Sequence, residues 1–67
     1  MPNIELLKEK IEDSGITMTA ISKKCGISRV TLYNRLAGVG EFTASEIVGL
    51  SETLRLTKPE REQIFFK

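Results

Sequence analysis

The sequence predicts an all-α fold, a compact five-helix domain with a tight helix-turn-helix near its centre. Two observations carry this expectation. Apolar residues recur three and four apart along the chain, and each such stretch follows an Asn, Ser or Thr able to cap a helix. Two of the starts, Thr43-Ala-Ser-Glu46 and Thr57-Lys-Pro-Glu60, carry the reciprocal capping box, a hydroxyl followed three residues later by glutamate. The 67 residues allow a single domain, 1–67, and a chain so short buries only about 60% of its unfolded surface.

Asn3 caps a first helix running to about Ser14, with Glu5 near its positive end and Ile4, Leu7 and Ile11 on one face. Leu6 borders that face, Lys8, Glu9, Lys10, Glu12 and Asp13 form a charged outer side, and Gly15 ends the helix. Its acids make it scaffold, covering the back of the helix-turn-helix. The second helix, about Met18–Cys25, begins after Thr17, whose hydroxyl can satisfy an orphan backbone N–H. Gly26 takes the left-handed turn and Ser28 caps a third helix, about Arg29–Ala37. Ile21, Cys25, Ile27, Leu32 and Leu36 are expected to lock these two helices together. Arg29, Val30, Tyr33, Asn34 and Ala37 then face outward, a set able to read base edges.

Gly38 closes the third helix, and Val39–Gly40–Glu41–Phe42 reads as a loop whose Phe42 folds back into the core. The fourth helix, about Ala44–Leu54, is expected to turn Ala44, Ile47, Val48 and Leu54 inward, with Leu50 at the margin. Gly49 inside it costs about 1 kcal/mol against alanine, and either marks a close helix–helix approach or is incidental. A fifth helix runs from Thr57 to about Phe66, with Pro59 tolerated in its first turn. Phe65 and Phe66 are adjacent, and adjacent helical positions do not share a face. One ring enters the core and the other is expected at a dimer interface; the alternative is that both pack on the first helix.

The stretch Thr17–Gly38, TMTAISKKCGISRVTLYNRLAG, resembles the helix-turn-helix of the Cro and phage-repressor (XRE-like) family. The run GISRVTLYNRLAG and the tail Ile64–Phe66 are similar to short prophage repressors of Gram-positive hosts. Two positions depart from the family pattern: Ser22 stands where alanine is usual, and Arg35 where an apolar residue is often buried. Serine is small enough to keep the helices close, and Arg35 is expected to swing outward. The resemblance implies a lambda-repressor-like DNA-binding fold whose third helix enters the major groove. Geometry on that helix makes Arg29, Val30, Tyr33 and Asn34 the base contacts: Arg29 bidentate to guanine or falling back to a phosphate, Asn34 bidentate to adenine or bonded to a phosphate, Val30 and Tyr33 against thymine methyls. Thr17, Thr19, Lys23, Ser28 and Arg35 become the phosphate contacts, aided by the N-terminus of the second helix. The loop after the third helix would lie along the sugar-phosphate chain.

A net charge of +1 is low for such a partner, but its distribution is uneven. Residues 14–40 hold Lys23, Lys24, Arg29 and Arg35 with no acid, a local +4, against −3 elsewhere. Cys25 is the single cysteine and histidine is absent, so no intramolecular disulfide, cysteine metal cluster or usual general base is available. Cys25 reads as a small buried hydrophobe. No enzyme activity, metal, cofactor or small-molecule substrate is expected. No apolar run approaches the roughly 20 residues of a membrane helix and MPNIELLKEK lacks a signal-peptide core, so a cytoplasmic protein is expected.

The sequence therefore points to a transcriptional regulator, most simply a Cro-like repressor that binds a two-fold double-stranded DNA operator as a homodimer. Two alternatives remain open. One is a protein-binding module, an antirepressor or antitoxin, masking a partner with the same face. The other is the DNA-binding half of a longer repressor.

Overall fold

A computed structural model describes residues 2–66, and five α-helices account for all regular structure among them: α1 Ile4–Ser14, α2 Met18–Cys25, α3 Arg29–Leu36, α4 Ala44–Thr53 and α5 Lys58–Phe65. Every helix starts at the cap its sequence proposes. Asn3, Thr17, Ser28, Thr43 and Thr57 each accept a hydrogen bond from a backbone N–H three residues on, and both capping boxes are complete. The ends are equally local. At the α2–α3 turn Gly26 takes φ 72°, a backbone that side-chain-bearing residues adopt at a cost. After α3 the Gly38 N–H donates to the Arg35 carbonyl and the Val39 N–H to the Asn34 carbonyl, the paired bonds of a Schellman motif.

Each helix sends one aliphatic side chain fully out of water: Leu7, Ile21, Leu32, Leu50 and Ile64. Leu36 and Phe65 complete the buried core, and Cys25, Ile27 and Phe42 pack against it half-buried. Phe42 does fold back, meeting Phe65 edge-on with ring centroids 5.2 Å apart. The serine in the alanine position does more than stay small. Ser22 is buried, and its hydroxyl donates to the Ile27 carbonyl, tying α2 to the far side of the turn.

Two expectations about the core are corrected. In α4 Leu50 is the fully buried residue and Val48 is half exposed, because α4 rotates to lay Gly49 against α2. A Cβ at Gly49 would stand 3.2–3.3 Å from the Cys25 backbone and Cβ, so the glycine does mark a close approach of two helices. Phe65, expected as a candidate dimer contact beside Phe66, lies in the core of its own chain, and only Phe66 remains exposed. α1 and α5 are joined twice: the Asn3 N–H donates to the Ile64 carbonyl, and Lys10 pairs with Glu60.

Candidate nucleic-acid interface

α3 owes its exposed face to the phase at which Leu32 and Leu36 are buried. With those two inward, Arg29, Val30, Tyr33, Asn34 and Ala37 are all exposed. Val30 is 71% exposed. Tyr33 stands at the edge of this face, over a groove between α1 and α3 that Lys8, Glu12 and Met18 also line.

The two helices cooperate at the first turn of α3. Arg29 Nη1 donates to Thr19 Oγ1 at 3.3 Å, a contact across ten residues that orients the guanidinium and leaves its other N–H groups free. Thr19 keeps its own hydroxyl proton for a second partner. Thr17 Oγ1 accepts from the Ala20 N–H at 3.2 Å and likewise retains a free donor at the mouth of α2. Ser28 is more committed. Its oxygen accepts from the Thr31 N–H at 3.1 Å and its proton goes to Thr31 Oγ1 at 3.0 Å, so it must rotate before it can serve a phosphate. Lys23 and Lys24 are exposed in the last turn of α2.

Arg35 does not swing outward, which corrects its expected orientation. Its Nε donates to Glu46 Oε1 at 3.1 Å, its Nη2 to Glu46 Oε2 at 3.4 Å, and its Nη1 to the Val39 carbonyl at 3.2 Å. The side chains of Arg35 and Glu46 are only 18% and 8% exposed. The carboxylate also accepts from the Thr43 N–H at 3.1 Å, as the capping box requires. One buried glutamate thus caps α4 and holds the end of α3. Reading Glu46 as a cap alone missed this second use; the signal was the departure at Arg35, a buried-position cation needing a counter-charge.

No group of three or more metal-ligating side chains lies among the described residues, and no described helix is long and apolar enough to cross a membrane.

A five-helix bundle with a capped helix-turn-helix, an acid-free stretch around it and an exposed third helix defines a helix-turn-helix DNA-binding domain. A family model described as helix-turn-helix matches residues 7–60, and the chain belongs to this XRE-type helix-turn-helix family. It is accordingly a DNA-binding transcriptional regulator of XRE type. Neither a curated protein nor a solved structure gives a significant match to the chain.

Proposed function

We propose that this regulator is a cytoplasmic Cro-like repressor of phage or prophage type, which binds a two-fold operator as a homodimer. The observation that carries the reading is the first turn of α3: Arg29, steadied by Thr19, projects beside the exposed Val30 with no acid in the surrounding stretch. Arg29 and Asn34 supply the polar base contacts, and Val30 and Tyr33 the apolar ones. Thr17, Thr19, Lys23 and, after rotation, Ser28 position the domain on the backbone. Arg35 is left out of the set, since Glu46 and the Val39 carbonyl hold its guanidinium inside the chain. Two third helices presented about one DNA turn apart, roughly 34 Å, require a two-fold pair of chains.

Selection from random-sequence duplex DNA, followed by sequencing and a salt titration on the selected site, tests this. A two-fold consensus is expected, with log affinity falling against log salt by about 0.9 for each phosphate neutralised. An absence of enrichment would overturn the reading in favour of a surface that masks a protein partner, to which the exposed Val30 and Tyr33 would then belong.

A further inference from the structure

The guanidinium of Arg29 has one acceptor among the described residues. Its Nη1 donates to Thr19 Oγ1 at 3.3 Å, and neither of the ion pairs there, Lys10–Glu60 and Arg35–Glu46, involves it. No acid stands within residues 14–40 to draw it elsewhere, and Lys23, one turn beyond Thr19 on α2, carries the same sign. A long side chain in the first turn of α3 can otherwise turn to a base or to a phosphate. The oxygen that restrains this one is neutral. A carboxylate in its place would pair with the guanidinium, as Glu46 does with Arg35, whereas a hydroxyl directs the plane and leaves the charge for a partner. With Nη1 engaged, the edge formed by Nε and Nη2 stays open, and two parallel donors along one edge match O6 and N7 of guanine.

We propose that Thr19 is a specificity-determining positioning residue: it selects the orientation in which Arg29 reads a guanine through its Nε/Nη2 edge instead of turning to a phosphate. Thr19 thus acts on sequence readout through Arg29, in addition to the bond its own proton makes to the DNA backbone. The inference rests on the reading of Arg29 as a base contact. α2 supplies the constraint and α3 the reader, so the turn that fixes the two helices also fixes which base pair is read.

Competition binding of the full chain to the selected operator, and to duplexes changed at each of its base pairs in turn, tests the proposal with Thr19→Ser, Thr19→Val, Arg29→Ala and the double variant T19V/R29A. The quantity read is the preference, the ratio of affinities for the operator and a changed duplex, in which a backbone contact made by Thr19 cancels. Arg29→Ala identifies its base pair, since the preference should collapse there alone. Thr19→Val keeps the shape of threonine without its acceptor and should lower the preference at that same base pair about three- to tenfold. Thr19→Ser should retain it, and T19V/R29A should match R29A alone. Helical circular dichroism should be unchanged throughout, both side chains being exposed. A preference unmoved by Thr19→Val, a Thr19→Ser no better than Thr19→Val, or a further loss in the double variant would overturn the proposal and leave Arg29 a base contact. An Arg29→Ala loss equal on all duplexes, or a chain that selects no operator, would refute the base reading itself and the proposal with it.

Discussion

The two arginines of α3 have the same chemistry and opposite fates. Arg29, in the first turn, has one neutral hydroxyl as its partner and remains exposed; Arg35, in the last turn, is gripped by a buried carboxylate and a loop carbonyl. The sequence alone offers both to DNA. What separates them is a counter-charge fixed by backbone geometry: Glu46 is already held in place by the Thr43 N–H, so Arg35 meets an anion that is oriented before it arrives. A cation near such a site belongs to the fold, and a cation beside a hydroxyl stays available.

Replacing Arg35 by alanine is the most severe way to break the comparison. It leaves the Glu46 carboxylate buried without its guanidinium and should cost about 3 kcal/mol, lowering Tm by about 10–20 °C in a domain of this size. Thermal unfolding followed by circular dichroism reads it directly; a Tm unmoved would return Arg35 to the phosphate contacts. Arg29→Ala and Asn34→Ala should do the opposite. Each should leave Tm nearly unchanged and weaken binding to the selected operator by about 1–3 kcal/mol, with specificity relaxed at one position. An equal loss on all sequences, measured on scrambled duplexes, would demote both to phosphate contacts.

Gly40→Ala probes the loop between α3 and α4, on which the Arg35 guanidinium lies. Gly40 has φ 78°, and a Cβ there would collide with the Arg35 guanidinium. The left-handed backbone alone should cost about 1–2 kcal/mol, read as a lower midpoint in urea with an unchanged slope. A neutral outcome would mean that the Arg35 lock is loose.

The smallest effect concerns a half-buried pair at the surface that contrasts with the buried one. The hydrogen bond from Lys10, reinforced by the Thr57 N–H, holds the Glu60 carboxyl down to about 2, and the same contact raises the Lys10 ammonium above its ordinary value. A lowered carboxylate stabilises the fold above its ordinary range of about 4.5 and ceases to do so as pH falls through about 2. A raised ammonium stabilises at neutral pH, and its share is lost as pH rises through the shifted value. Lys10→Ala should therefore lower Tm slightly at neutral pH, and the difference from the unmodified chain should vanish toward pH 2. Solvent and salt screen this pair, so a difference that survives high salt would be inconsistent with its surface position.

Helix starts were legible in the sequence because capping is a local transaction. Thr43 and Glu46 lie three residues apart and satisfy each other's backbone whatever the rest of the chain does. The rotation of α4 was not legible. Whether Val48 or Leu50 turns inward depends on the depth to which Gly49 lets α4 sink onto the Cys25 backbone, a contact between distant segments. Arg35 failed for the same reason, since its partner lies across a loop whose path the spacing does not reveal. Phe65 and Phe66 were half legible: their adjacency requires divergence, but which ring goes inward is decided by Phe42 waiting in the core. At the candidate site the exposed set on α3 followed from the phase of Leu32 and Leu36, whereas the Thr19–Arg29 contact needed the turn to be built first.

The bond from the Asn3 N–H to the Ile64 carbonyl makes the beginning of α1 and the last turn of α5 a single mechanical unit. Fraying of α5 must release the amide of Asn3, so amide exchange at that one position reports the docking of a helix some sixty residues away in the chain. The amide of Asn3 is thus a built-in gauge of events at the opposite end of the chain.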